Sequence, residues 1–117
     1  MKRFFVADSH FSHANIIKYC NRPFLSDVDK RALDRCGGDW EKDRKWRISH
    51  EAVEMMDNVL FDNINKMVGE NDELWHLGDF AFGIRDRYYE TVRRLRERIK
   101  CRNVKLILGN HDRHGLE

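Results

Sequence analysis

Apolar and polar positions recur along this 117-residue chain with two different periods, and the period predicts the element. Residues 2–7, "KRFFVA", are short, apolar and aromatic and break at Asp8, which predicts a first strand. "ANIIKYC", 14–20, predicts a short helix that stops before "NRP", because Pro23 disfavours helical backbone at Arg22. The clearest helix is 48–68, "ISHEAVEMMDNVLFDNINKMV". In it Ile48, Ala52, Val53, Met56, Val59, Leu60, Ile64 and Met67 form one apolar stripe at three- and four-residue spacing. Ser49 is placed to cap it, with Glu51 in the first turn and Gly69 at its end. "DELWHLGD", 72–79, predicts a second strand through Leu74, Trp75 and Leu77. "RDRYYETVRRLRERIK", 85–100, predicts a second amphipathic helix with Tyr89, Val92, Leu95 and Ile99 inward. "NVKLIL", 103–108, predicts a third strand.

Strand, helix, strand, helix, strand is the resulting order. Helix-sized crossovers imply parallel strands, so the fold class is α/β with a βαβαβ core. One domain, residues 1–117, accounts for the whole chain. Residues 26–47 read as an irregular insertion with a helical turn near "VDKRALDRC". Its two tryptophans, Trp40 and Trp46, are expected to fold it back onto the body.

Composition narrows the picture a little. Charged residues make up 36% of the chain and no apolar run approaches the ~18 residues of a membrane helix, so no membrane partner is expected. The N-terminus is too short in apolar residues for a secretion signal, and Cys20, Cys36 and Cys101 lack C-x-x-C spacing. Both fit reduced thiols in the cytoplasm. A net charge of +2 gives no argument for nucleic acid. Arg93, Arg94, Arg96 and Arg98 read as a solvated face paired with Glu90 and Glu97 rather than as a phosphate-binding surface.

The candidate chemistry lies at the strand ends. Strand 1 is followed by Asp8-Ser9-His10, strand 2 by Gly78-Asp79, and strand 3 by Gly109-Asn110-His111-Asp112. Parallel strands put all three tips on one edge of the sheet, where ligands of open α/β sheets bind. Two carboxylates, two imidazoles and an amide oxygen suit a divalent transition ion. An extended backbone at Asp8-x-His10 would return both side chains to one face. Gly78 and Gly109 would let the backbone turn tightly before the ligands, and a central Asp79 is placed to bridge two ions.

These blocks, with "ADSHFSHANIIKYCNRPF" and "DELWHLGDFAFG", resemble the calcineurin-like metallophosphoesterases, small bacterial and phage-type members in particular. The resemblance covers most of 1–25 and 48–112. It implies half of a metallophosphoesterase β-sandwich flanked by helices, truncated or completed by another chain. It also implies that Asp8 and His10 hold a first ion, Asp79 bridges and Asn110 holds a second. His111 would stand beside the scissile phosphate, so that His111 and Asp79 are the catalytic pair. One or two divalent ions, Mn, Fe, Zn or Ni, would activate a water to hydrolyse a phosphomonoester or phosphodiester substrate. Asp112 reads as a residue that orients His111 or caps the turn, His114 as an auxiliary ligand, and His13 as either a cap or a group aimed at the site. His76, inside strand 2, reads as a hydrogen-bonded core histidine, and His50 as an exposed residue at a helix start.

The family pattern continues with a lone His and a Gly-His-x-His block that this sequence lacks. Three explanations stay open: a fragment, a natural short form completed by another chain or by homo-oligomerisation, or a catalytically impaired module that binds protein or nucleic acid. In each, an apolar sheet face would be left uncovered by this chain.

Overall fold

A computed structural model of the chain describes residues 1–83, 85–110 and 112. Strands β1 (Arg3–Val6), β2 (Glu73–His76) and β3 (Asn103–Leu106) form one parallel sheet in the order β1-β2-β3. The α/β class and the parallel strands expected from the sequence are therefore present. Among the described residues four α-helices accompany them: α1 (Ala14–Tyr19), α2 (Asp27–Arg35), α3 (His50–Met67) and α4 (Tyr88–Glu97). None of the described helices is long and apolar enough to cross a membrane.

The register lines side chains up in rows across the sheet. Phe4, Leu74 and Val104 make one row, and Val6, His76 and Leu106 the next on the same face. Both rows pack on a core built from Phe11, Phe61, Phe80, Tyr88, Val92, Leu95 and Ile99. The opposite face is open: Phe5 is 62% exposed, Ile107 51% and Leu77 45%. The uncovered apolar face read from the sequence is thus seen among the described residues. At its other end Glu73 lies between Arg3 (2.8 Å) and Lys105 (3.6 Å).

The helices follow their sequence signals with two shifts. Ser49 caps α3, accepting a hydrogen bond from the Ala52 N–H at 3.2 Å. The buried stripe of α3 is Ala52, Met56 and Phe61, flanked by half-buried Val53, Leu60 and Ile64; Val59 and Met67 are exposed. In α4 the inward tyrosine is Tyr88, not Tyr89. The helix starts at Tyr88, and Tyr88, Val92, Leu95 and Ile99 keep the four-three-four spacing of one face. Tyr89, one residue further round the helix, is half exposed. Three arginines in or just after α4 are engaged within the fold. Arg94 pairs with Glu90 at 3.1 Å, Arg96 donates to the carbonyls of Ile99 and Arg102, and Arg98 lies over the Phe61 ring at 4.2 Å.

The 26–47 stretch is more regular than its sequence suggested. Its nine-residue helix α2 starts in a capping box: the Ser26 side chain accepts from the Asp29 N–H while the Asp29 carboxylate accepts from the Ser26 N–H. With α1, α2 and the first half of α3 it builds a second core around Ile16, Ile17, Ala32, Trp40, Ile48, Ala52 and Met56. Trp40 is buried, and the Trp46 indole N–H donates to Asp29 at 3.0 Å. Asp29 is fully buried and joins the starts of two helices. Beyond Ser26 and Trp46 it accepts from the Ser49 N–H at 3.0 Å and from the Ser49 hydroxyl at 2.7 Å. Burial opposes its ionisation, but the hydrogen bonds from Ser49, Trp46 and Ser26 outweigh it and hold the carboxyl below its ordinary value.

Removing that hub strands several buried donors. Asp29→Ala is expected to lower stability by about 3 kcal/mol in urea unfolding at neutral pH. A depressed carboxyl stabilises the fold above its unfolded pKa, and that contribution is lost as pH falls through the folded value. The gap between wild type and variant should therefore shrink below about pH 4.

Candidate metal centre

The site is built where β1 and β2 end but their chains stay paired. The Asp8 N–H donates to the Gly78 carbonyl (2.9 Å), His10 to Asp79 (3.0 Å) and Phe11 to Phe80 (2.9 Å). Phe82 then donates back to Phe11 at 2.8 Å, and a bridge between Phe11 and Ala81 resumes the same offset as Arg3 with Glu73. Between strand and bridge both chains depart from extended geometry while staying paired. Asp8 (φ 52°), His10 (φ 49°) and Asp79 (φ 53°) all have left-handed backbone. For non-glycine residues this costs roughly 1–2 kcal/mol each.

This corrects the extended Asp8-x-His10 expected from the sequence. An extended run would carry both side chains along the face of Val6 and into the core. The left-handed residues lift them to the rim instead. There the donor atoms of Asp8, His10 and Asp79 lie within 4.8 Å of one another, with His10 Nε2 4.0 Å from Asp79 Oδ2. Ligands about 2.1 Å from one ion are at most about 4.2 Å apart, so these donors need draw in only slightly to hold one. Two carboxylates and an imidazole fit a divalent transition ion.

The third strand closes the site from the other side. Gly78, at φ 120°, does allow a tight turn. Gly109 serves a different purpose, which is close approach. A Cβ there would sit 2.5 Å from Asp79 Oδ1 and 2.6 Å from Asp79 N, and one on Gly78 would sit 3.0 Å from Gly109 Cα. The two glycines bring the tips of β2 and β3 into backbone contact. Asp112 fastens them: its carboxylate accepts from the N–H groups of Asp79 (2.7 Å), Gly109 (2.8 Å) and Phe80 (3.0 Å). Its place is thus under the turn, one of the two roles read from the sequence. Asn110 follows Gly109 at this edge and is exposed. His111 and His114 lie outside the described residues.

The remaining histidines fall into place. His13 caps α1, its Nδ1 accepting from the Ile16 N–H at 2.9 Å, and its ring also meets His10 edge-on at 5.6 Å and Phe82 at 4.9 Å. Of the two readings of His13, the cap is the one these contacts show. His50 is exposed at the start of α3, beside Glu54. His76 is buried beneath the site. The Gly78 N–H donates to its Nδ1 (3.2 Å), so Nε2 carries the proton and donates to Ser9 Oγ (2.8 Å), which donates to the Phe80 carbonyl (2.7 Å). Burial holds this imidazole below its ordinary pKa, against the pull of Asp112, Asp8 and Asp79.

Three supporting residues escaped the sequence reading. Ser9 had a signal, since it separates two candidate ligands. Asp57 accepts from the Ser12 N–H (2.8 Å) and hydroxyl (2.9 Å), and so grips another left-handed residue at φ 63°. It sits four residues before Phe61, on the buried side of α3, where burial pushes its carboxyl up. Arg22, after α1, donates to the carbonyls of Asp8 and Ser9 at 2.8 Å each, which nothing in its local sequence announces.

Two outcomes follow from this packing. Gly109→Ala should push Asp79 aside and weaken divalent-ion uptake by at least about tenfold in calorimetric titration. A histidine held neutral stabilises the fold above its unfolded pKa and loses that contribution on acidification. Urea unfolding of metal-free protein should accordingly weaken as pH falls below about 6.5, and less so in His76→Gln, which cannot take up the proton.

No protein-family model matches the chain. It is similar to uncharacterized protein MJ1445 of Methanocaldococcus jannaschii, 30% identical over 116 residues, 97% of this chain but 48% of that protein. It is also similar to the crystal structure of the protein of unknown function AQ665 from Aquifex aeolicus, with 24% identity and a TM-score of 0.54 over 96% of this chain and 44% of that one. The second likeness bears on the fold alone. The chain thus spans about half the length of each of these two proteins.

Proposed function

We propose that the chain carries a metal-dependent phosphoesterase site, on half of a metallophosphoesterase-type sandwich. The observation that carries this reading is the convergence of Asp8, His10 and Asp79 from two strand ends onto one rim, each on strained backbone. Strain of this kind collects at functional sites, because a fold that only needed to pack would shed it.

In this reading Asp8, His10 and Asp79 would hold one divalent ion, Mn, Fe, Zn or Ni, and Asp79 with Asn110 would help to hold a second. When bound, such ions supply a nucleophile from water at neutral pH and neutralise charge on a phosphoryl group. The protein's part is to aim the donors. Asp79 is fixed by the Asp112 carboxylate beneath its N–H, and His10 by the hydrogen bond from its N–H to the Asp79 carbonyl. Exposed Asp8 leaves the rim open to a phosphomonoester or phosphodiester. His111, next to Asn110, is the proposed proton donor to the leaving oxygen. Further ligands for the second ion would come from outside the described residues, in this chain or in another.

The test is hydrolysis of bis(p-nitrophenyl) phosphate with added Mn²⁺. Wild type should turn the ester over, a chelator should abolish the reaction, and Asp79→Asn should reduce it at least about a hundredfold. Equal inertness of wild type and Asp79→Asn would remove catalysis from this chain.

A further inference from the structure

The loop that carries Asp8 and His10 is left-handed at three non-glycine positions, Asp8, His10 and Ser12, and something must hold it there. Ser12 is held by Asp57 and Ser9 by His76. The turn at Asp8 itself is reached by a cation. Arg22 Nη2 donates to the Asp8 carbonyl and Nη1 to the Ser9 carbonyl, both at 2.8 Å, while Nη1 also lies 3.3 Å from Met56 Sδ. We propose that Arg22 is a positioning residue for the metal centre: its guanidinium clips two successive carbonyls and thereby sets the left-handed turn that aims Asp8 and His10 at one ion. The inference rests on the metal reading above.

Geometry makes the clip specific to arginine. Two carbonyls one residue apart need two donors in a fixed plane, which a guanidinium offers and an ammonium does not. The side chain is itself well placed. Asn21 is left-handed at φ 49° and turns the chain after α1, Pro23 restricts Arg22 to extended backbone, and the Arg22 N–H is tied to the Ile17 carbonyl at 3.0 Å. On its far side it meets α3 through Met56 and the field of Asp57. Arg22 therefore connects α1, α3 and the β1 loop at the one point where Asp8 leaves the sheet. It touches neither carboxylate oxygens nor the imidazole in these contacts, so its action on the ion runs through the backbone.

Arg22→Lys keeps the charge and loses the fork. Mn²⁺ titrations followed by electron paramagnetic resonance should show wild type binding and Arg22→Lys weakened roughly ten- to hundredfold, as for other residues that orient ligands. Urea unfolding in chelator should leave Arg22→Lys close to wild type, which separates aiming from mere structural support. Low-millimolar guanidinium should restore Mn²⁺ binding to Arg22→Ala, and the same concentration of ammonium should not. If Arg22→Ala does not fold, the lysine variant carries the comparison alone. Wild-type affinity in Arg22→Lys, or an affinity loss that only tracks lost stability in chelator, overturns the positioning role and leaves the metal site standing. A wild-type chain that takes up no Mn²⁺ overturns both.

Discussion

Left-handed backbone beneath Asp8, His10 and Asp79 is the constraint on which this structure turns. The sheet by itself would send residues 8 and 10 into the core, beside Val6. Moving them to the rim means leaving extended geometry at non-glycine positions, at a cost of several kcal/mol in total by ordinary reckoning. The surroundings offset that cost with hydrogen bonds. Arg22, His76, Asp57 and Asp112 each place hydrogen bonds on this strained backbone or close beside it. They come from four separate segments, so the rim is held by the whole fold rather than by its own loop.

The glycines show how tightly the pieces meet. Gly78 and Gly109 face each other with no room for a methyl group, and Asp79 fits against Gly109 with even less. A side chain at either position would separate the tips of β2 and β3. The carboxylate of Asp112 then supplies acceptors for three N–H groups that the strand ends leave without ladder partners. The site is dense in main-chain contacts, and its functional side chains are few.

Much of this was legible in the sequence, and for identifiable reasons. Short apolar runs ending at Asp8, Asp79 and Asn110 marked both the parallel strands and the shared edge, because parallel pairing leaves the tips nowhere else to go. Ser49 was readable as a cap since the α3 stripe begins beside it. The α4 stripe reads one residue out of phase, at Tyr89 instead of Tyr88, because the helix start carries no side-chain cap and Arg87 makes no such bond. Helix α2 is harder to read from the sequence because its box closes with Asp29 where a glutamate is the usual sign. The left-handed residues were not legible: their conformation is imposed by neighbours distant in sequence, and the modest left-handed preference of Asp and His does not single out a position. Arg22 was hidden for the same reason, since a guanidinium beside a proline says nothing about which carbonyls it will find.

The two loops leave their strands and rejoin at Phe11 and Ala81 in unchanged offset. Such a return is possible only if both excursions have matching length. Deleting one residue from the Asp8–His10 loop would misalign everything after it, and so would adding one after Gly78. Compensated changes in both loops together could preserve the frame. Chain length, more than residue identity, is therefore the property that these two segments must share, and indels there should be tolerated only in pairs.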